Sequence, residues 1–124
     1  MEPKDHTVAV LGASPKSSRF SNMAIRMLKS FGYEIIPVHP IYKKVEDIPV
    51  IASLKEIKKK VDTLTLYVGP MRSKVLLDEI ISLNPGRVIL NPGTESTLLE
   101  QKLADAGIPA LKACTLVMLQ TRQF

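Results

Sequence analysis

The sequence predicts an α/β fold: a doubly wound parallel sheet of about five strands covered by helices on both faces, a three-layer αβα arrangement. Three observations lead there. Apolar runs of strand length alternate with segments of helical period from end to end. The connections between them are short and rich in Gly and Pro. The first apolar run, Val8-Ala9-Val10-Leu11, stops at Gly12-Ala13-Ser14 before an amphipathic stretch, the strand, turn and helix order by which such folds hold phosphate. With right-handed crossovers, the strands counted along the chain are expected in the order 3-2-1-4-5, a Rossmann-like sheet.

Each element follows from a local pattern. After the first strand, Ser21 is the expected N-cap of a helix carrying Ala24, Met27, Leu28 and Phe31 on one face, stopped by Gly32. Residues 33–38 read as the second strand, closed by His39-Pro40. A loop over 41–52 leads to a helix at 53–61, where Ser53 and Glu56 have capping-box spacing and Leu54, Ile57 and Val61 make an apolar face. Its Lys58-Lys59-Lys60 run is read as the solvated side. Asp62 is expected to fix a turn ahead of the third strand, 63–68, which ends at Gly69-Pro70. Leu76, Leu77, Ile80 and Ile81 mark the next helix, which stops before Asn84-Pro85-Gly86. The fourth strand is Arg87-Val88-Ile89-Leu90, followed by Asn91-Pro92-Gly93. Thr94 is the expected N-cap of a helix bearing Leu98, Leu99, Leu103 and Ala106, ended by Gly107. Residues 108–112 form a short fifth strand, and the tail from Cys114 to Gln123 a final helical turn or two.

Composition bounds the function classes. The 124 residues, 45% hydrophobic and 23% charged, make one globular domain spanning 1–124. The start, Met1-Glu2-Pro3-Lys4-Asp5, is too charged for a signal peptide, and no apolar stretch is long enough to span a bilayer, so no membrane partner is expected. The lone Cys114 cannot form an internal disulfide, which fits the cytoplasm. A net charge of +5 suits a polyanionic ligand. Aromatic residues are sparse and not interleaved with basic ones, so nucleic acid is not the expected partner.

In a doubly wound sheet, ligands sit beyond the carboxyl ends of the strands. Gly12 allows close approach of phosphate, Ser14 adds a hydroxyl, and Lys16 and Arg19 lie where a pyrophosphate would meet the helix start. Nicotinamide-binding sheets usually end the second strand in a carboxylate that holds a ribose. Here that position is His39, followed by Pro40, Lys43 and Lys44. Such an end suits an adenosine with an extra ribose phosphate, which describes both coenzyme A and NADP.

Together, Val8-Ala9-Val10-Leu11-Gly12-Ala13-Ser14, Arg19, Pro37-Val38-His39-Pro40, Val61-Asp62 and Cys114-Thr115-Leu116 resemble the small single-domain CoA-binding proteins. They are similar also to the CoA-binding domain of the succinyl-CoA synthetase α subunit. The resemblance covers nearly the whole chain. It implies a Rossmann-like fold holding CoA at the carboxyl edge of the sheet, with Gly12, Ala13, Ser14 and Arg19 near the phosphates. His39, Pro40 and Lys43 then border the adenosine end. Gly69, Pro70 and Arg72, with Asn91, Pro92 and Gly93, flank the pantetheine arm. The family usually has Asn where this chain has His39, and Gln-x-Gly where it has Asn91-Pro92-Gly93.

Catalytic residues are few. His6 and His39 are the only histidines, and no Ser-His-Asp set, paired carboxylates or metal-spaced cluster can be assembled. Cys114, at the start of the last helical turn, is either a thiol able to pair with the CoA thiol or a small buried side chain. The expectation is non-covalent binding of coenzyme A or an acyl-CoA, as carrier, sensor or accessory subunit without complete catalytic machinery. The alternatives are an NADP-binding oxidoreductase-type domain and an interaction module with a vestigial nucleotide pocket. Partners left open are a second copy of the chain and an acyltransferase or ligase.

Overall fold

The computed structural model describes residues 1–124. Strand β1 (Thr7–Leu11) is buried along its whole length, as is β5 (Thr63–Leu66). Such continuous burial marks strands covered on both faces. β1 pairs in parallel with β2 (Glu34–Val38) on one side and β5 on the other. β6 (Arg87–Leu90) and β7 (Ala110–Lys112) extend the same parallel sheet.

Alternation of side chains divides the interior in two. Ala9, Leu11, Ile36, Val38, Leu64, Leu66, Val88 and Leu90 enter one core. There they meet Ile80 of α3 (Leu77–Leu83) and Leu99 and Leu103 of α4 (Thr97–Asp105). Val8, Val10 and Ile35 face the other way, toward Ile25 and Leu28 of α1 (Phe20–Ser30) and Leu119 of α5 (Thr115–Gln120). The result is the expected three-layer, Rossmann-like α/β fold.

Within it, the strand order differs from expectation. Counted along the chain, the five long strands run 2-1-3-4-5, so the third lies against the first instead of outside the second. Two features keep it from β2's outer edge. The Pro37 carbonyl points outward and accepts the Ile51 N–H at 2.9 Å, so the hydrogen that proline lacks is missing on that same outer side. Proline is tolerated at an edge for this reason. The edge is then capped by residues 39–51: the Ile51 carbonyl accepts the His39 N–H at 3.1 Å, and a two-residue hairpin, β3 (Lys44–Val45) and β4 (Ile48–Pro49), lies in the connection. Asp62 enters β5 next to β1, its N–H bonded to the Thr7 carbonyl and its carboxylate accepting the Thr7 N–H at 2.8 Å.

Several boundaries also move. The helix expected at 53–61 is one 3-10 turn, Leu54–Glu56, with the Ser53 hydroxyl accepting the Lys55 N–H. A capping box marks a start and not a length, and a short helix persists only where packing holds it. The helix after Gly69-Pro70 divides at Leu76 into α2 (Pro70–Val75) and α3. Arg19, not Ser21, is the N-cap of α1, and Ser96, not Thr94, caps α4 by accepting the Leu99 N–H. No helix is long and apolar enough to cross a membrane.

Candidate functional site

The turn after β1 is held by the protein in a way that decides which of its groups are free. Gly12 has φ +93°, and a Cβ there would lie 3.0 Å from the Tyr67 carbonyl oxygen. The glycine is therefore needed for the close approach of β1 to the end of β5. The Gly12 and Ala13 N–H groups both point at the Val38 carbonyl, at 3.1 and 3.2 Å, so neither faces outward. Ser14 differs. Its hydroxyl oxygen accepts the Lys16 N–H at 3.1 Å, which leaves the hydroxyl hydrogen for another acceptor.

Behind the turn, the fully buried Asn22 donates to the Ser14 carbonyl at 2.9 Å and accepts from Arg26 Nε at 2.8 Å. Arg26 also holds the Ser17 carbonyl at 2.8 Å. The turn is thus braced from the α1 side. Arg19, as N-cap, puts no side-chain acceptor on the first-turn N–H groups. That leaves the positive end of an 11-residue helix open at the site.

The turn and the first residues of α1 line a cleft of about 580 Å³ along the carboxyl edge of the sheet. Of the residues the sequence singles out, Gly12, Ala13 and Ser14 come from the end of β1, and Lys16 and Arg19 from the turn above it. His39 and Pro40 follow β2, Gly69 and Arg72 follow β5, and Pro92 and Gly93 follow β6. The ion pairs of the molecule are Lys44–Asp47, Lys59–Glu34 and Lys112–Glu100. Lys16, Arg19 and Arg72 take part in none of them. Three cations therefore border the cleft without an ion-pair partner.

Four expected residues lie elsewhere. Asn91 is buried behind the wall: its amide nitrogen donates to Thr65 Oγ1 (2.8 Å) and the Leu66 carbonyl (2.9 Å), and its oxygen accepts the Thr115 N–H (2.8 Å). With both ends of the amide engaged, it holds β6 and α5 together. Lys43 is exposed on the loop whose carbonyl takes the Val50 N–H. Pro70 forms the first residue of α2, and Cys114 is the half-buried N-cap of α5.

Other cleft residues escape the sequence reading. Tyr42 packs its ring on His39 at 4.3 Å, an aromatic pair hidden in an irregular loop. Ser53 and Glu79 come from opposite elements and meet at 2.8 Å. Nothing in the sequence relates two positions 26 residues apart.

Two side chains of the cleft, His39 and Tyr67, are electrostatically shifted. Burial lowers the pKa of His39, and the Arg72 cation lowers it further. Its Nδ1 accepts the Ile41 N–H at 3.1 Å, so the neutral ring carries its proton on Nε2. Burial pushes the Tyr67 phenol up to about 12, with Thr115 and Thr65 acting in the opposite direction. The phenol oxygen is buried without a hydrogen-bond partner of good geometry.

Comparison with known proteins gives a family. Residues 6–120 match the family model described as a CoA binding domain. The uncharacterized protein YneT of Bacillus subtilis is 35% identical over 60 residues, 48% of this chain and 44% of that protein, so the match spans less than half of the relative. A crystal structure of an uncharacterized protein superposes with a TM-score of 0.89 at 39% identity, covering 96% of this chain and 98% of the other. A structure from Thermus thermophilus gives a TM-score of 0.87 at 34% identity, covering 96% and 90%. The chain, matched over nearly all its length and with a cation-lined cleft at the carboxyl edge of its sheet, belongs to the CoA binding domain family.

Proposed function

We propose that the cleft binds coenzyme A or an acyl-CoA non-covalently. The observation that carries this reading is the grouping of unpaired cations, Lys16, Arg19 and Arg72, around an open helix start and a serine hydroxyl with its hydrogen free. A polyanion satisfies all of them together. The diphosphate rests against Ser14, the first turn of α1, Lys16 and Arg19. The adenosine end lies toward His39 and Pro40, and the pantetheine arm runs past Gly69, Pro92 and Gly93.

The protein then serves as a carrier, sensor or accessory subunit. His39 is the one histidine of the cleft, and the hydroxyl–carboxylate contact there, Ser53 with Glu79, has no histidine in it. NADP, left open by the basic residues after β2, finds no support in the family match, and Lys43 stands outside the cleft.

Calorimetric titration of ligand-stripped protein with CoA, NADP and NAD tests the reading. Saturable CoA binding that NADP does not match is the expected result. Binding of NADP alone, or of none of the three, overturns it.

A further inference from the structure

The cleft carries one acidic side chain that the phosphate-binding reading leaves without a task. Glu79, on α3, is half-buried and is the only carboxylate among the lining residues. Its Oε1 accepts from the Ser53 hydroxyl at 2.8 Å, and Oε2 has no hydrogen bond or ion pair within the chain. A carboxylate in a cleft for a polyanion is repulsive unless the ligand brings a donor to it.

Its surroundings narrow the donor. Leu54 and Leu76 pack into the core on the α3 side of the sheet, whereas the turn at Ala13 packs into the core on the α1 side. Glu79 is thus on the opposite face of the sheet from Ser14, Lys16 and Arg19, with Arg72 of α2 on its own side. Leu54 and Leu76, its neighbours through Ser53 and along α3, line the cleft with it, while Lys55, Lys58 and Lys59 share a depression with Glu79 on the outer side. This end of the cleft adjoins the end of β2 through the His39 N–H bonded to Ile51. An apolar wall with one hydrogen-bond acceptor at its edge suits a flat heterocycle carrying an amine. Holding the 52–54 segment does not account for Glu79, since that task occupies one oxygen and the segment is already tied to β2.

We infer that Glu79 reads the base of the ligand by accepting a hydrogen bond from the exocyclic amine of adenine, with Ser53 fixing the carboxylate's orientation. This rests on the proposed binding of CoA. It makes Glu79 a specificity-determining residue: a base with a carbonyl in place of the amine presents an acceptor to an acceptor.

The test compares CoA with its analogue in which hypoxanthine replaces adenine, by calorimetry on the wild type and on Glu79→Gln and Glu79→Ala. The wild type should prefer CoA by about tenfold or more. Glu79→Gln should erase that preference, because its amide can turn either oxygen or nitrogen to the base. Glu79→Ala should weaken CoA and leave the analogue nearly unchanged. An equal loss for both ligands in the variants assigns Glu79 to the cleft wall or the pantetheine amides and overturns the inference. So does a wild type that does not discriminate. Failure of the wild type to bind either ligand refutes the CoA reading itself, a separate and recognisable result.

Discussion

Gly12 and Gly69 stand at the ends of adjacent strands and should respond in opposite ways to one added methyl group. At Gly12 the backbone has φ +93°, and the new Cβ would sit 3.0 Å from the Tyr67 carbonyl oxygen and 3.1 Å from the Tyr67 carbonyl carbon. The left-handed backbone costs an L side chain about 1–2 kcal/mol. A contact with backbone atoms, which cannot swing aside, adds about 1–3 kcal/mol. Gly12→Ala should therefore lose about 2–5 kcal/mol of stability, on the order of 10 °C or more in Tm for a chain of this length. Gly69 has an ordinary φ of −73°, and a Cβ there meets nothing within 4 Å. Gly69→Ala should stay within about 0.5 kcal/mol of the wild type. Thermal unfolding of the ligand-free proteins, followed by CoA titration, separates protein from ligand effects. Gly69→Ala should keep its Tm and change CoA affinity only through contact with the ligand. A Gly12→Ala protein with wild-type Tm and no CoA binding would refute the argument. It would mean that the glycine makes room for phosphate and not for β5.

Two further outcomes are expected. Arg19 is exposed and makes no side-chain bond within the chain, so Arg19→Ala should leave Tm unchanged while weakening CoA by about 1.5–3 kcal/mol, a loss that shrinks as salt is added. Stability should fall as pH drops from about 7 to 5, because burial, and then Arg87, holds the His6 pKa below its ordinary value while the unfolded chain protonates near 6.5. Thr63 Oγ1 accepts from Arg87 Nε at 2.9 Å and lies 2.8 Å from His6 Nε2, so a charge on the His6 ring would develop beside the Arg87 cation. His6→Gln should flatten part of the slope, His39 acting in the same direction, and an unchanged slope in denaturant titrations at the two pH values would count against this account.

The architecture was readable because strand and helix periods alternate cleanly, and Pro37 shows where the reading stopped short. A proline inside the second apolar run already argued for an edge strand. The order 3-2-1-4-5 makes that strand internal, with ladder bonds on both sides, whereas 2-1-3-4-5 leaves the missing hydrogen at the free edge. Local chemistry thus held the information that a topological habit overrode. The cleft shows a different limit. Residues directly after strand ends, such as Ser14, His39, Gly69 and Gly93, could be placed there because the sheet delivers every such end to one edge. Glu79 lies on the helical layer, where its facing the cleft depends on the break between α2 and α3 at Leu76. That break has no proline or glycine to announce it.

Asn91 carries the more general lesson about polar residues at strand ends. On β5, Leu64 and Leu66 enter one core, while Thr63 and Thr65 turn to the other face and are fully buried. A buried hydroxyl needs partners, and here the chain supplies them: Thr115 Oγ1 lies 2.7 Å from Thr65 Oγ1, and the Asn91 amide donates to the same oxygen at 2.8 Å. The alternation Thr63, Thr65, Tyr67 is visible in the sequence and announces a polar seam beneath a helix. Given that seam, an asparagine closing the neighbouring strand is claimed from inside before any ligand arrives. A strand-end polar residue is better assigned to a ligand when the buried side chains of its own core leave its hydrogen-bonding groups unclaimed. By that criterion Ser14 qualifies: its neighbours in the adjoining core, Val8, Val10 and Ala13, make no demand on its hydroxyl hydrogen, which remains for the cleft.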